Sequence, residues 1–165
     1  MIAFLSNSST HRELSNFYIA PFMYNGKTFP TNEHFYTYYK INILSDSPPP
    51  PRFFLMTALQ AKSYAAEIER AAPIEKLDQF QKEKITIMRT GLRNKFSNPQ
   101  LKNILLLTGN DQLVECSPTD AFWGARASER QLHENPSFRG LNVLGKLLME
   151  LRTEFENHIL FSLNH

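Results

Sequence analysis

The chain has 165 residues, of which 42% are hydrophobic and 21% charged. This composition fits one globular domain and excludes a disordered chain. Eighteen Lys and Arg against sixteen Asp and Glu leave a net charge of +2, well short of the dense basic surface of a dedicated nucleic-acid binder. The single cysteine, Cys116, excludes an intramolecular disulfide and a Cys-rich zinc site, and it fits a reducing compartment.

The sequence shows no sign of a membrane span or of a nucleotide-binding glycine loop. Its apolar runs are far shorter than a bilayer requires, and residues 1–14 lack the basic start and long apolar core of a signal peptide. We therefore expect a cytoplasmic protein with no membrane partner. Six glycines and no GxGxxG, GxxxxGK[ST] or GxSxG motif indicate that side chains and helix ends hold any ligand.

The first third of the chain predicts extended segments at 1–5 and 17–29, followed by a helix. Asn25-Gly26 is a strong hairpin signal, since both positions accept a positive φ. Thr31 can cap a helix that runs to about Ile43. The four prolines at 48–51 predict a stiff surface loop.

The remainder predicts four more helices, a short strand at 112–116 and an irregular polar segment at 117–138. The helices fall from about Leu55 to before Pro73, from about 77 to 96, from Asn98 as N-cap to Gly109 as the C′ residue, and from about Asn142 to His158. No linker or repeat divides the chain. The fold class is therefore α+β, a mostly helical single domain over 1–165 with a small antiparallel sheet.

Glu33, Tyr36 and Lys40 are the first candidates for chemistry. Seven residues make about two helical turns, so Glu33 and Lys40 point the same way with Tyr36 between them. A carboxylate in a first turn feels the positive end of the helix dipole, which favours its ionised form. The alternative is a solvated helix face, although the aromatic neighbours of these residues indicate a helix buried on more than one side.

Two further clusters lie in the second half of the chain. Trp123, beside Asp120 and Gly124, could stack on a base, or it could fill the core while Asp120 caps a turn. At the start of the last helix, Arg139 and Asn142 could bind an anion or a ribose with the helix amides. The alternative there is that Asn142 is simply the N-cap.

Three other features have mainly structural interpretations. Asn16, in the Leu-Ser-Asn-Phe segment at 14–17, says little alone, because Ser-Asn pairs often satisfy the backbone of a turn. No histidine pair has metal-ligand spacing, and His34 is expected to pack or hydrogen-bond within its helix. Cys116 is expected to be a buried, inert thiol.

Taken together and in order, these segments resemble the YbiA-like, or NADAR, family. The resemblance extends from about Phe4 to Phe155. The motifs that carry it are Leu-Ser-Asn-Phe at 14–17, Gly26-Lys27, Phe29-Pro30-Thr31, Glu33-His34-Phe35-Tyr36 with Lys40, Met88, Leu92, Lys95-Phe96, Leu106, Thr108-Gly109, Leu113-Val114-Glu115, Asp120 with Trp123-Gly124, Asn142, Leu144-Gly145, Leu148-Met149 and Arg152.

The resemblance implies an N-glycosidase that needs no cofactor and no metal. Its expected substrates are ribosylated pyrimidine intermediates of riboflavin synthesis, or ADP-ribose attached to guanine as a small molecule or in nucleic acid. Glu33 matches the expected catalytic residue. The positions expected to line the pocket are Asn16, Lys40, Asp120, Trp123 and Asn142; we add Tyr36 and Gly124 as substrate-binding candidates and Asp120 as a second acid.

The chemistry of the residues agrees with that implication. Breaking a C1′–N bond builds positive charge on the sugar, which a nearby carboxylate stabilises. The chain departs from the family at Phe80, where a Trp is usual, and in the segment 124–140, which is longer than in short bacterial relatives. Since loops set specificity, these departures concern the substrate more than the reaction. The alternative function is a sensor that binds ADP-ribose or a related nucleotide without cleaving it.

Overall fold

A computed structural model describes all 165 residues and divides them into two compact units. One, here called the helical unit, is residues 16–95; the other, here called the terminal unit, joins residues 1–15 to residues 96–165. The expectation that 1–165 acts as one domain stays a prediction. In chain order, the elements are β1 (Ile2–Phe4), β2 (Phe22–Tyr24), β3 (Lys27–Phe29), α1 (Asn32–Ser45), α2 (Ala58–Ala71), α3 (Ile74–Lys95), α4 (Pro99–Leu107), β4 (Leu113–Glu115), α5 (Glu129–Glu134) and α6 (Val143–Leu163), with short 3-10 turns at Arg12–Leu14 and Pro51–Leu55.

This arrangement confirms a mostly helical protein with a small antiparallel sheet. β2 and β3 form a hairpin in which Phe22 pairs with Phe29. Asn25 and Gly26 have φ angles of 48° and 73°, as a tight hairpin turn requires. The strands are shorter than expected, because residues 17–21 are not part of the ladder.

The helical unit is built around α1, which contacts both α2 and α3. Residues 32–38 of α1 are all buried, so the aromatic helix is enclosed on more than one side, as its composition predicted. Phe29 and Phe35 are at most 1% exposed and their rings meet edge to face at 5.1 Å, a favourable geometry for aromatic pairs.

The predicted helix ends are confirmed at several positions. Thr31 Oγ1 accepts from the His34 amide at 3.1 Å and caps α1. Asn98 Oδ1 caps α4 through the amides of Gln100 and Leu101. Gly109 follows α4 at the C′ position with a φ of +56°, a conformation that favours glycine.

The terminal unit contains a strand pair that sequence patterns did not predict. β1 runs parallel to β4, with Ala3 opposite Val114, and α6 packs against β4. A small apolar cluster lies beside this ladder, formed by Val114, Cys116, Ala125, Ala127 and Leu132. Parallel pairs need long crossover connections, which is why local sequence did not reveal this one.

Two local predictions were wrong. The segment 117–138 is not irregular throughout, since it contains α5, which starts at a capping box made by Ser128 and Gln131. The second helix begins at Ala58 rather than near Leu55, and the Leu55 and Leu59 side chains are 89% and 62% exposed. None of the helices combines the length and apolar character that a bilayer crossing requires.

Candidate active site

Glu33 is the second residue of α1 and is only 7% exposed. Its main-chain N–H donates to the Asn16 carbonyl at 3.0 Å, and its own carbonyl accepts from Thr37 Oγ1 at 2.6 Å. Free N–H groups in a first helical turn commonly lack an intrahelical partner. Here the preceding chain supplies that partner, so the backbone of Glu33 is fixed from both sides.

The position of Glu33 also sets its electrostatic environment. α1 has 14 residues and Glu33 is the acidic residue of its first turn. Helix N-termini carry a partial positive charge, which favours the ionised carboxylate. The structure thus places a buried acid at a helix end that stabilises negative charge.

Asn16 and Asn32 form a buried amide network beside this turn. Asn32 Nδ2 donates to Asn16 Oδ1 at 2.8 Å, and both Nδ2 atoms lie 3.4 Å from Met88 Sδ. The two asparagines are 5% and 0% exposed. Both amide atoms of Asn16 are therefore bonded within the helical unit. Its predicted contact with substrate stays a prediction.

A glycine in α3 makes room for this network. An added Cβ on Gly91 would lie 2.1 Å from Asn32 Oδ1 and 2.7 Å from Phe35 Cδ1, distances that no side chain can occupy. Asn32 Oδ1 is buried with no hydrogen-bond partner, which fits its close approach to the glycine backbone. Gly91 therefore lets the first turn of α1 lie directly against α3.

Tyr36 and Lys40 contact the same residue of α3. The Tyr36 and Phe80 rings are 5.8 Å apart, and Lys40 Nζ lies 5.2 Å from the centre of the Phe80 ring. Lys40 also forms an ion pair with Glu69 of α2. Phe80, the expected replacement for the family's Trp, is 2% exposed and supports both side chains. Tyr36 is itself only 6% exposed.

His34 belongs to a hydrogen-bond network that uses both nitrogens of its ring. Its Nδ1 lies 2.7 Å from Thr31 Oγ1 and its Nε2 lies 2.9 Å from the Met56 carbonyl. A carbonyl only accepts, so Nε2 carries the proton and Nδ1 accepts from the threonine hydroxyl. Burial lowers the pKa of His34, partly opposed by its bond to Met56. The expectation that His34 hydrogen-bonds within its helix is confirmed for the bond to the cap residue Thr31, whereas the bond to Met56 goes outside the helix.

A fully buried cation, Lys95, was missed as a feature in its own right. Its side chain at the end of α3 is 1% exposed, and Nζ lies 5.9 Å from the Tyr18 ring centre. Lysine is rarely buried to this degree unless its charge has partners. In the sequence, Lys95 stood out only as part of the Lys95-Phe96 motif of the family resemblance. A lysine near a helix end usually faces solvent, so its burial was not expected.

In the terminal unit, Asp120 organises a turn. Its Oδ1 accepts from the amides of Phe122 and Trp123 at 2.9 and 2.8 Å. Trp123 is partly buried, and its ring meets Phe122 edge-on at 4.8 Å. The turn-capping alternative for Asp120 is therefore present in the structure. The predictions that Asp120 acts as an acid and that Trp123 stacks on substrate remain open.

The start of α6 corrects the expectation of an anion site made from helix amides. The amides of Val143 and Leu144 donate to the carbonyls of Phe122 and Trp123, at 3.0 and 3.1 Å. These N–H groups are already used by the 121–124 turn and are not available to an anion. Gly124 takes part in the same contact, because its carbonyl accepts from the Asn142 amide at 3.1 Å.

Asn142 occupies the N-cap position but does not cap α6 with its side chain. Its Oδ1 accepts from the Glu115 amide at 3.0 Å, and its Nδ2 donates to the Leu113 carbonyl at 2.8 Å. The residue is 1% exposed and thus joins α6 to β4. The prediction that the Asn142 side chain caps α6 is wrong, because both of its polar atoms are bonded to the β4 backbone. Its role in substrate binding stays a prediction.

The predicted site residues thus fall into two groups, one in each unit. Asn16, Glu33, Tyr36 and Lys40 lie in the helical unit, and the terminal unit contains Asp120, Trp123, Gly124 and Asn142. No three His, Cys, Asp or Glu side chains come together where they could hold a metal ion. The chemistry open to the helical-unit group is that of a buried carboxylate.

Comparison with known proteins identifies the family. The NADAR domain model matches residues 3–156. N-glycosidase YbiA from Escherichia coli (strain K12) is 32% identical over 162 residues, covering 93% of this chain and 88% of that protein. Riboflavin biosynthesis protein PYRR, chloroplastic, from Zea mays is 38% identical over 77% of this chain and 20% of that protein.

The fold agrees with that assignment. The NMR structure of the E. coli protein YbiA superposes with a TM-score of 0.71 at 30% sequence identity, covering 96% of this chain and 86% of that one. The family resemblance drawn from the sequence motifs is thereby confirmed. The chain belongs to the NADAR domain family.

Proposed function

We propose that the protein is an N-glycosidase that hydrolyses the bond between ribose C1′ and the nitrogen of a base, with Glu33 as its catalytic carboxylate. The observation that carries the proposal is the burial of Glu33 in the first turn of α1, on a backbone held by Asn16 and Thr37. The names of the relatives support it, since the E. coli relative is an N-glycosidase.

The reaction needs a fixed negative charge beside the sugar. As the C1′–N bond breaks, its electron pair leaves with the base nitrogen and the ribose gains oxocarbenium character. The Glu33 carboxylate stabilises that charge and takes a proton from the attacking water, whose oxygen bonds to C1′. The departing base nitrogen takes a proton from the second acid, for which we propose Asp120, so the products are the base and a ribosyl group with a hydroxyl at C1′.

The other predicted residues have proposed supporting roles. Tyr36 and Trp123 would offer aromatic surface to the base or ribose. Lys40 would exchange part of its ion pair with Glu69 for a substrate oxygen, which is feasible because that pair is partly exposed to solvent. Asp120 would be the second acid, and Asn16, Gly124 and Asn142 would contribute to substrate binding.

For the substrate we propose ADP-ribose on guanine, or a ribosylated pyrimidine of riboflavin synthesis. The second is supported by the name of the maize relative, a riboflavin biosynthesis protein. The first is supported by the arginines of the segment 124–140, because guanidinium groups bind phosphates well. A sensor without activity would need donors for phosphates and would have no use for a buried acid.

The test is single-turnover hydrolysis by the wild type and by Glu33→Gln, with product release followed by mass spectrometry. The substrates are an oligonucleotide carrying ADP-ribosylated guanine and a ribosylated pyrimidine. We expect Glu33→Gln to keep its circular dichroism spectrum and lose at least about a hundredfold in rate. Glu67→Gln, an exposed change in α2, is the matched control.

The results separate the alternatives. Release of ADP-ribose from the oligonucleotide, or of the base from the ribosylated pyrimidine, identifies the reaction and the substrate together when it depends on Glu33. Near wild-type cleavage by Glu33→Gln would reject the catalytic assignment. A stable complex with the oligonucleotide and no released product would indicate a sensor instead.

A further inference from the structure

A proline tract at residues 48–51 follows α1 and leads into the 3-10 turn Pro51–Leu55. The proposed hydrolysis gives this tract no role. A proline ring fixes φ at about −65°, and a residue that precedes proline is restricted to extended ψ values. Pro48, Pro49 and Pro50 all precede a proline, which restricts them to the polyproline II conformation. Pro50 adopts it, with a φ of −66° and a ψ of 159°.

The proline tract displays two of its rings on one side. A polyproline II helix has about three residues per turn, so Pro48 and Pro51 lie on the same side, about 9 Å apart. Both are exposed, whereas Pro49 is buried and Pro50 is partly buried. The stiff surface loop that the sequence predicted is therefore anchored on one side and open to solvent on the other.

Both ends of the proline tract are fixed by the helical unit. Before the tract, Ser45 Oγ donates to the Ser47 carbonyl at 2.9 Å. After it, the Phe53 amide donates to the Pro50 carbonyl at 2.9 Å, and the Phe53 ring is fully buried in the core of this unit. The tract is thus held in its extended conformation before any partner binds, which lowers the entropy cost of binding.

A positive charge lies beside the exposed prolines. Arg52 directly follows the tract, is exposed and forms no ion pair. The acid that precedes the tract, Asp46, is already paired with Lys76 Nζ at 2.5 Å. An uncompensated guanidinium group next to a proline tract favours a partner that has an acidic side chain at the same place.

An exposed apolar side chain continues this surface. In a 3-10 turn the side chains at i and i+3 lie above one another, so Leu55 lies on the same side as Arg52. The Leu55 side chain is 89% exposed. The surface that faces solvent thus contains two proline rings, one cation and one leucine, and it contains no acid.

We propose that the proline tract is a docking site for a partner protein with a polyproline II-binding domain. The aromatic-lined groove of that domain would take Pro48 and Pro51, and its acidic rim would bind Arg52. Domains of the SH3 and WW type bind proline-rich segments in this way, because such segments are stiff and their rings fit between aromatic side chains. The tract begins where α1 ends, whereas Glu33 lies in the first turn of that helix. Docking therefore does not depend on the proposed hydrolysis.

The experiment titrates the ¹⁵N-labelled full chain with two probes, a WW domain that binds proline-arginine peptides and an SH3 domain, and follows the amide shifts by NMR. We expect at least one probe to bind with a Kd of about 0.1 mM or tighter. Prolines have no amide proton, so the tract is detected through its neighbours. The largest shifts should fall within residues 45–55.

Variants test whether the tract itself makes the contact. Pro48→Ala with Pro51→Ala removes both exposed rings and should weaken binding at least about tenfold, and Arg52→Gln should weaken it at least about threefold. The matched controls are Pro21→Ala, an exposed proline before β2, and Arg70→Gln, an exposed arginine of α2. Each control should change the affinity by less than about twofold.

The titration of the wild type needs no variant, so it tests the proposal even if the double variant does not fold. Absence of binding to both probes would overturn the proposal. So would shifts confined to residues outside 45–55, an undiminished affinity in the folded double variant, or an equal loss of affinity in Pro21→Ala. None of these results depends on Glu33, so the docking site and the proposed hydrolysis can fail separately.

Discussion

Asn32 Nδ2 donates to Asn16 Oδ1 at 2.8 Å, and the main-chain carbonyl of the same Asn16 accepts from Glu33 at 3.0 Å. One residue preceding the hairpin thus holds the first turn of α1 through both its side chain and its backbone. The consequence is that the position of the Glu33 carboxylate depends on the buried amide of Asn16.

Asn16→Ala should lower kcat by about tenfold, because Glu33 loses part of its anchor and small displacements weaken catalysis strongly. The proposed contact of Asn16 with substrate would add a rise in KM. The buried side-chain amide of Asn32 would also lose its acceptor on Asn16, which costs about 1–3 kcal/mol of unfolding free energy. Steady-state kinetics and urea unfolding of the same preparation measure both effects.

Met88→Leu is the matched control, since it removes the sulfur acceptor and leaves the bond between the two asparagines intact. Its kcat should stay within about twofold of the wild type, with a loss of less than about 1.5 kcal/mol in stability. If Asn16→Ala raised KM and left kcat unchanged, Asn16 would be a substrate ligand and not a positioning residue.

Gly91→Ala should destabilise the protein by about 1–3 kcal/mol, although alanine is the better helix former by about 1 kcal/mol. The new Cβ would fall 2.1 Å from Asn32 Oδ1 and 2.7 Å from Phe35 Cδ1, so α1 must move away from α3. Thermal unfolding measures the change. A variant as stable as the wild type would show that the two helices separate at little cost.

Much of the helical unit could be predicted because its signals are local. Each signal and the structure that it specifies lie within a few residues of each other, as in the Asn25-Gly26 hairpin, the Thr31 cap and the run of aromatics in α1. Glu33 could be singled out because a helix start fixes which residue lies in the first turn. The partners of these residues could not be predicted, since the bonds from Asn16 to Asn32 and from Lys40 to Glu69 join segments far apart in the chain.

The terminal unit was harder to predict for the same physical reason. Its strand pair joins Ile2–Phe4 to Leu113–Glu115, and no local pattern reports a parallel contact over that separation. Asn142 has the residue type and position of an N-cap, yet a left-handed φ of 49° turns its side chain toward β4. Tertiary hydrogen bonds there overrode a local preference.

Asn142→Ala should lower stability by about 2–4 kcal/mol, because it leaves the Glu115 amide and the Leu113 carbonyl without their buried partners. Asn142→Gly removes the same side chain but tolerates the positive φ, so it should be less destabilising than alanine by up to about 1 kcal/mol. Urea unfolding of the two variants compares them. Equal stability of the wild type and both variants would show that the Asn142 side chain does not stabilise the contact between α6 and β4.

Cys116 should resist alkylation in the folded protein. Burial, followed by the charges of Glu129 and Glu115, raises the pKa of its thiol to about 12, and only the thiolate is nucleophilic. Iodoacetamide at pH 8 should label the native chain at least about a hundredfold more slowly than the urea-unfolded chain. Mass spectrometry measures the two labelling rates. Equal rates would contradict a buried, inert thiol.

Stability should fall between pH 7 and pH 5 through His34. Burial lowers its pKa in the folded state, whereas the unfolded value is about 6.5. Below pH 6.5 the unfolded chain binds a proton that the native chain does not, so the free energy of unfolding decreases as pH falls, by at most about 1.4 kcal/mol per pH unit. The decrease ends below the folded pKa. Urea unfolding at several pH values measures this dependence, and the free energy of unfolding should vary less with pH in His34→Gln than in the wild type. His133→Gln, an exposed change in α5, is the control and should keep the wild-type slope. Parallel profiles for all three proteins would assign the pH dependence to other groups.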